Sequence, residues 1–216
     1  MKQKPSLLII GNSNVGKSSI TRLLMPNPRK FKGKIGKSPG STLLIKPITQ
    51  DNLNYKIIDL PGFGFMKQSS HRRQEHIKKQ IIIHIEKHHE DYFLGLIVIN
   101  ILRIEDELEK YFIENKKTIP LTLELINFLK EFKISLLILI NKIDKVSNFD
   151  KRRIVKLFLD SAYEYNLKLV QYSNFDAISK SEISYLEFSA LKRINLANLK
   201  QIIQKNLINF KTLQKM

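Results

Sequence analysis

Short apolar runs alternate along the chain with longer stretches in which apolar residues recur every three or four positions. The runs at residues 7–10, 94–99 and 134–140 are rich in β-branched residues, which is typical of strands buried on both faces of a parallel sheet. Residues 43–48 and 55–58 flank a turn and predict two neighbouring strands, and residues 184–188 form one more short run. The apolar pattern therefore predicts a sheet of about six strands.

Helical spacing fills the stretches between these strands. Five segments carry their apolar residues on one helical face: residues 18–25, 73–89, 121–132, 149–165 and 195–210. Such an alternation of strands and helices predicts an α/β fold with a mostly parallel, doubly wound sheet that has helices on both faces. The sequence shows no repeat and no linker, so we expect residues 1–216 to form a single domain.

The composition narrows the class of protein. The 216 residues are 43% hydrophobic and 26% charged, as in a globular domain, and none is cysteine, which excludes disulfides, thiolate metal sites and prenyl or palmitoyl anchors. The longest apolar runs are far shorter than a bilayer-spanning helix of about 20 residues. Lys2 stands where N-myristoylation requires a glycine. We therefore expect a cytoplasmic protein without a membrane anchor.

The charge is large and unevenly distributed. With 37 basic and 20 acidic residues the formal charge is +17, and no acidic residue precedes Asp51 or follows Glu187. This excess of positive charge predicts a polyanionic partner, because contacts to phosphates release condensed counterions. The alternative is a lysine-rich composition in which the charges only solvate helix faces.

A glycine-rich motif follows the first predicted strand and opens the first predicted helix. It fits G-x-x-x-x-G-K-[ST] with Gly11, Asn12, Ser13, Asn14, Val15, Gly16, Lys17 and Ser18. Such a loop binds polyphosphate, because its backbone N–H groups converge and the helix N-terminus adds a favourable dipole. We expect Lys17 to reach the β- and γ-phosphates and the Ser18 hydroxyl to bind Mg²⁺.

A second motif follows the predicted strand at residues 55–58. Asp59, Leu60, Pro61 and Gly62 match D-x-x-G. The Asp59 carboxylate can orient a water molecule on Mg²⁺, and the Gly62 N–H can meet the γ-phosphate. The motif is common in turns, so its meaning depends on the others.

Two further motifs follow the last two predicted strands of the sheet. Asn141, Lys142 and Asp144 match N-K-x-D, and Ser189, Ala190, Leu191 and Lys192 match S-A-x-K. The Asp144 carboxylate can accept from guanine N1 and N2, a donor pair that adenine lacks. We expect Asn141 to brace the site, the Lys142 stem to cover the base and the Ala190 N–H to contact guanine O6.

The four motifs occur in the order of a GTP-binding domain, each at the carboxyl end of a strand, where ligands of such sheets bind. The sequence therefore predicts a P-loop GTP-binding domain. The residues predicted to contact the nucleotide are Gly11, Asn12, Ser13, Asn14, Val15, Gly16, Lys17, Ser18, Ser19, Asp59, Leu60, Pro61, Gly62, Asn141, Lys142, Asp144, Ser189, Ala190 and Leu191.

With these motifs in place, the chain resembles the EngB family of ribosome-assembly GTPases, within the TrmE–Era class. The likeness rests on the four motifs and on two segments, residues 37–42 and residues 59–66, the second of which resembles the archaeal branch. Asn100 stands where many bacterial members have aspartate, and residues 101–120 and 166–183 do not follow the bacterial pattern.

The resemblance implies roles for three further positions. It implies that Thr42 completes the Mg²⁺ site and acts with Lys17 and Gly62 in catalysis, whereas the alternative is a loop threonine that starts a strand. It implies slow intrinsic hydrolysis, because Phe63 stands where signalling GTPases have a water-orienting glutamine. It places Asn14 where related GTPases hold K⁺, although a loop asparagine also tolerates unusual dihedrals.

The resemblance also implies a biological role. It predicts a monomeric switch that binds GTP and GDP, requires Mg²⁺, contacts the large ribosomal subunit or rRNA and is linked to cell division and septation. The basic residues around residues 29–42 and 71–79 could carry the rRNA contact or only solvate loops. Two rival functions remain: a signalling or membrane-traffic GTPase, and an RNA-binding scaffold that holds GTP without needing hydrolysis.

Overall fold

The computed structural model describes residues 4–30, 45, 47–62, 71–112, 119–172 and 182–214. Its strands are β1 Ser6–Ile10, β2 Pro47–Ile48, β3 Lys56–Asp59, β4 Tyr92–Asn100, β5 Leu136–Asn141, β6 Leu169–Gln171 and β7 Ile183–Glu187. Its α-helices are α1 Lys17–Leu24, α2 His71–His88, α3 Ile104–Phe112, α4 Leu121–Glu131, α5 Asn148–Glu164 and α6 Leu196–Leu213.

The seven strands of the described residues belong to one sheet in the order β2-β3-β1-β4-β5-β7-β6. In this part of the chain only β2 runs antiparallel, paired with β3 across the predicted turn. Strands β1 and β4 are buried along their whole length, as their uninterrupted apolar runs predict. The predicted α/β class and the mostly parallel sheet are confirmed, with seven strands rather than about six.

Two separate apolar cores cover the two faces of the sheet. Along β1, Leu8 and Ile10 join the core beneath α2, α3, α4 and α5, whereas Leu7 and Ile9 join the core beneath α1 and α6. This division follows from the strand geometry, because successive side chains point to opposite faces. The sheet is therefore doubly wound, as predicted.

Two elements were not predicted. The helix α3 begins directly after β4 and a short 3-10 turn, with no proline or glycine to mark its start, and among residues 104–110, whose burial the structure describes, only Ile104 and Leu108 are buried in the core. The strand β6 has three residues, none of them fully buried. Of the predicted strand at residues 43–48, the structure describes Ile45 and β2, and the other positions lie outside the described residues.

The parallel strands bring the predicted motifs together. The carboxyl ends of β1, β3, β5 and β7 are followed by the loop at Gly11, by Leu60, by Lys142 and by Phe188. These ends share one edge of the sheet, because the strands run in the same direction. None of the helices that the structure describes is long and apolar enough to cross a bilayer.

Candidate nucleotide-binding site

The phosphate loop, residues 11–16, connects β1 to α1 through two glycines with positive φ. Gly11 has φ +151°, and a Cβ there would lie 2.2 Å from the Val98 carbonyl oxygen of β4. Gly16 has φ +106° and directly precedes α1, and no side chain caps this end of the helix. The first N–H groups of α1 therefore remain directed at the loop, which is the arrangement that binds anions.

Lys17 is buried beneath this loop. Its Nζ donates to the carbonyl oxygens of Gly11 and Asn12 at 2.9 and 2.8 Å. Burial lowers the pKa of Lys17 from 10.5 to about 8, and the negative charge of Asp59 opposes part of that shift. The lysine is thus a buried cation whose charged form an added anion would stabilise.

Asp59 ends β3 next to the start of α1. The Ser18 Oγ donates to its Oδ2 at 3.1 Å, whereas its buried Oδ1 has no hydrogen-bond partner among the described residues. Burial raises the pKa of the Asp59 carboxyl, and Lys17 and the hydroxyls of Ser18 and Thr21 oppose that shift. A carboxylate and a hydroxyl, both oxygen donors, therefore meet beside the phosphate loop.

The D-x-x-G backbone lies against the phosphate loop. The Leu60 N–H donates to the Ile9 carbonyl at 3.0 Å, which continues the β1–β3 pairing past Asp59. A Cβ on Gly62 would lie 2.7 Å from Ser13 Cα and 2.8 Å from Ser13 N. Only a glycine fits at this distance, so Gly62 and the loop form one surface.

Asn141 joins the N-K-x-D motif to two other motifs. Its buried side chain donates from Nδ2 to the Val15 carbonyl at 2.7 Å and accepts at Oδ1 from the Ala190 N–H at 3.0 Å. Lys142, which has φ +68°, adds a bond from Nζ to the Asn14 carbonyl at 2.7 Å. The segments that were expected to hold the base and the phosphates are therefore bonded to each other.

This contact requires a glycine at residue 16. A Cβ on Gly16 would lie 2.3 Å from Asn141 Nδ2, well inside van der Waals contact. Gly16 thus serves two purposes, because it supplies the positive φ at the start of α1 and leaves space for the asparagine.

Asp144 has one oxygen fixed and one available. Its Oδ1 accepts from the Ser189 Oγ at 2.6 Å, and Ser189 in turn accepts from the Lys192 N–H at 3.0 Å. Its buried Oδ2 has no hydrogen-bond partner among the described residues and lies 3.8 Å from Lys145 Nζ. The carboxylate is therefore held in a set orientation with acceptor capacity left over.

A family model described as "50S ribosome-binding GTPase" matches residues 6–142, which include the first three motifs up to Lys142. The chain belongs to this GTPase family. Within it, the similar proteins are of the EngB type. A Methanococcus aeolicus protein named "Probable GTP-binding protein EngB" is 36% identical over 151 residues, or 70% of this chain and 63% of that protein. Its namesake from Methanococcus maripaludis is 33% identical over 146 residues, or 68% of this chain and 60% of that protein.

A solved structure agrees with these relatives over the whole fold. The crystal structure of "a probable GTP-binding protein engB" superposes with a TM-score of 0.72 at 25% identity, covering 94% of this chain and 99% of that one. The resemblance to the EngB family is thus confirmed. The alignments span less than two thirds of the two Methanococcus proteins' length.

Of the other predicted positions, two lie outside the described residues and two have contacts within the protein. Thr42 and Phe63 lie outside the described residues. Asn14 has φ +62°, and its carbonyl accepts from Lys142, which suits the alternative of a loop asparagine. The Ala190 N–H, which the S-A-x-K motif predicts to contact guanine O6, donates to the Asn141 Oδ1, and Leu191 is 67% exposed beside it.

One residue of this EngB-type site was not predicted at all. Glu107 of α3 accepts from the Asn12 Nδ2 of the phosphate loop at 3.4 Å. It lies in the part of the chain that does not follow the bacterial EngB pattern. An acidic residue in an acid-rich helix carries no specific signal, so only the structure could find it.

Proposed function

We propose that this chain binds GTP and hydrolyses it to GDP as a molecular switch. The observation that carries the proposal is the Asp144 carboxylate, which Ser189 holds at 2.6 Å and whose Oδ2 has no hydrogen-bond partner among the described residues. Guanine presents two neighbouring donors, N1–H and the N2 amino group, to such an acceptor. Adenine would leave the carboxylate unpaired, which is costly for a buried charge.

The phosphate half of the site supports a di- or triphosphate. Lys17 is buried with its pKa lowered to about 8, so a bound anion would offset the cost of its charge. The N-terminus of α1 adds N–H groups that a phosphate can satisfy. Calorimetry with GTP and ATP tests this proposal, and equal affinity for the two nucleotides would contradict it.

The oxygen donors beside the loop fit Mg²⁺. The Asp59 Oδ1 is buried without a hydrogen-bond partner among the described residues, and Ser18 and Asp59 together offer the hard ligands that Mg²⁺ takes. Ser18 would bind the ion directly and Asp59 through water, with Thr42 as a third ligand implied by the EngB resemblance. Bound Mg²⁺ would neutralise charge on the β- and γ-phosphates.

The sequence supports slow intrinsic hydrolysis. Phe63 can neither donate to nor accept from an attacking water, so something else must complete the catalytic site. We propose that a bound ribosomal particle, rRNA or K⁺ near Asn14 does so. Single-turnover hydrolysis in K⁺ and in Na⁺, with and without large subunits, tests this, and rapid turnover in Na⁺ alone would contradict it.

The charge distribution supports an RNA partner. Residues 4–30 and 188–214 contain no acidic residue, and they supply α1 and α6, which cover the same face of the sheet. The helices on the opposite face carry both signs of charge, and one of them, α3, has Glu105, Asp106 and Glu107 in its first turn. Two acid-free helices on one face, with exposed lysines on α6, suit a phosphate backbone. Together with the family description, this supports binding to the large ribosomal subunit and a role in its assembly.

Co-sedimentation with large-subunit precursors tests this partner. We expect association with GTP or a non-hydrolysable analogue and little with GDP, because the γ-phosphate contacts that the motifs and the EngB resemblance imply for Gly62 and Thr42 exist only in the GTP state. Replacing the exposed Lys200 and Lys211 of α6 by glutamine should weaken association. The matched control replaces the exposed Arg152 and Lys156 of α5, on the opposite face of the sheet, and should have little effect.

The rival functions make different predictions. A scaffold that merely holds GTP would keep its cellular role in a Lys17→Ala variant, whereas a switch would lose it. A membrane-traffic GTPase would bind lipid vesicles in its GTP form.

We further propose a cytoplasmic monomer in which residues 1–216 form one domain, since a single sheet carries both cores. Gel filtration tests the monomer, and depletion followed by cell-shape measurement tests a link to septation.

A further inference from the structure

Glu107 connects three parts of the molecule that are distant in sequence. It lies on α3, and its Oε1 accepts from the Thr122 N–H at the start of α4 at 2.8 Å. Its Oε2 accepts from the Asn12 Nδ2 of the phosphate loop at 3.4 Å, a longer bond. Both carboxylate oxygens are therefore engaged, one by a helix end and one by the loop.

The bond to α4 fixes where the carboxylate sits. Pro120 precedes α4, and it has no N–H and provides no side-chain cap. Glu107 supplies the missing acceptor from another helix, and a negative charge at a helix N-terminus is favourable. Thr122 is itself buried, so this end of the bond has little freedom to move.

The bond to Asn12 then orients the phosphate loop. A carboxylate only accepts, so the Asn12 amide must present its nitrogen to Glu107. This leaves the Asn12 Oδ1 buried with no hydrogen-bond partner among the described residues. The carbonyl of the same residue accepts from Lys17 Nζ at 2.8 Å, so the position of Asn12 also sets one of the contacts of Lys17.

The Asn12 side chain has one hydrogen bond among the described residues, the bond to Glu107. Asn12 and Glu107 border a narrow cleft of about 20 Å³ that is otherwise mostly apolar, lined among others by Val98, Leu108 and Phe158. Atoms that face a cleft have few van der Waals partners on that side. The bond to Glu107 is therefore the polar contact that orients the Asn12 amide on this side of the loop.

We propose that Glu107 is a positioning residue for nucleotide binding, which holds the phosphate loop through Asn12 while it caps α4. The proposal rests on the proposed binding of guanine nucleotides, because its effect is measured as nucleotide affinity. It also makes α3 and the start of α4 a place from which a partner can change that affinity, since displacing either helix moves Glu107.

The first test replaces Glu107 by alanine and measures the GDP dissociation constant with a fluorescent GDP analogue. We expect affinity to fall about fivefold to tenfold, the effect of losing one ordinary hydrogen bond, because the bond of 3.4 Å is too long for the full strength of a bond to a charged group. Loss of a negative charge near phosphates would by itself strengthen binding, so the direction of the change separates positioning from electrostatics. Asp106→Ala is the matched control, because Asp106 is exposed on the same helix, and it should change affinity less than about twofold.

The second test restores the contact without the charge. In Glu107→Gln the side-chain oxygen can still accept from the Thr122 N–H. The amide nitrogen can donate to the Asn12 Oδ1 once the asparagine amide turns over. We expect this variant to bind GDP within about twofold of the unmodified protein, because both bonds are kept. In a double-mutant cycle, Glu107→Ala should cost much less affinity in an Asn12→Ala background.

These results can overturn the proposal clearly. It is wrong if Glu107→Ala lowers the melting temperature but leaves GDP affinity unchanged at a temperature where both proteins are folded. It is also wrong if the effects of Glu107→Ala and Asn12→Ala on affinity simply add. Failure of the proposed function would look different, since the unmodified chain itself would then not bind GDP.

Discussion

The two halves of the nucleotide site are built differently. In the guanine half, Asn141 makes two bonds at 2.7 and 3.0 Å, and Asp144 accepts from Ser189 at 2.6 Å. In the phosphate half, polar atoms of Asn12, Ser13 and Asp59 are buried without hydrogen-bond partners among the described residues, whereas in the guanine half the Asp144 Oδ2 is such an atom. Burial there also lowers the pKa of Lys17 and raises the pKa of Asp59, and both shifts favour the neutral form of the side chain.

The difference shows which half depends on the ligand. Bonds in the guanine half exist before any nucleotide arrives, so recognition of the base costs little rearrangement. The phosphate half holds charges and polar atoms at a cost that phosphates and Mg²⁺ would offset. We expect substitutions in the guanine half to change nucleotide specificity and protein stability. We expect pH, which alters charge, to change nucleotide affinity through the phosphate half.

The largest effect should come from Asp144→Asn. The asparagine cannot accept from both guanine donors, so GTP affinity should fall by about 10³-fold or more. Xanthosine triphosphate has a carbonyl where guanine has its amino group, and the new amide can donate to it. Calorimetry should therefore show preference for the xanthine nucleotide. Unchanged GTP affinity would mean that the guanine half does not read the base.

The next largest effect should be the loss of stability in Asn141→Ala. The substitution leaves the Val15 carbonyl and the Ala190 N–H without their partner, at a cost of about 2–4 kcal/mol in the free energy of unfolding. Urea denaturation measures this cost. Asn209→Ala, at an exposed position of α6, is the control and should be close to neutral. Equal stability of the two variants would contradict the bonded guanine half.

The third prediction concerns pH and the buried Lys17. Without nucleotide, Lys17 has a pKa of about 8 in the folded chain and its ordinary pKa of 10.5 in the unfolded chain. Between these two pH values the unfolded chain therefore binds more protons than the folded chain. The contribution of Lys17 to stability should therefore rise with pH across that window. Nucleotide affinity should change in the opposite direction, because phosphates require the charged lysine. GDP should bind up to about tenfold more weakly for each pH unit above pH 8.

Calorimetry between about pH 7 and pH 9, below the ionisation of guanine N1, measures this slope. Lys142 is a competing source, since burial and the nearby Arg103 lower its pKa as well. Lys142→Arg keeps the charge at that position and removes its titration. If the slope disappears in this variant, Lys17 is not its cause.

The smallest effects come from a matched pair of serines. Ser189 donates to Asp144 and accepts from Lys192, so Ser189→Ala should cost about 1–2 kcal/mol of unfolding free energy. Ser13→Ala removes a buried hydroxyl that has no hydrogen-bond partner among the described residues, so the free energy of unfolding should not fall and should rise by up to about 1 kcal/mol. Thermal melting of both variants without nucleotide measures the difference. A larger loss for Ser13→Ala would reverse the comparison of the two halves.

Much of this architecture could be predicted from the sequence. Strands β1, β4 and β5 are uninterrupted apolar runs, and the glycines and motif residues stand directly after strands, so the sheet and the place of the site followed from pattern and chemistry. The helix α3 could not be found in this way, because its acid-rich sequence has few apolar positions and no clear start. The strand β6 is too short to show alternation.

Hydrogen bonds between distant segments were the hardest to predict. Asp144 was expected to face the base, but its bond to Ser189 depends on how two loops meet in space. The use of the Ala190 N–H by Asn141 and the contact of Glu107 with Asn12 arise in the same way. Pattern identifies which residues carry chemistry, whereas the pairing among them is a property of the assembled sheet.

The closeness of Gly16 and Asn141 restricts how this sequence can change. The two residues belong to motifs 125 positions apart, yet a methyl group on one would occupy the space of the other's amide nitrogen. Drift in either motif is therefore limited by the other, even where neither touches a ligand. Anyone transplanting the glycine-rich loop into a new scaffold would have to bring the asparagine with it, or the grafted loop would lose its support from behind.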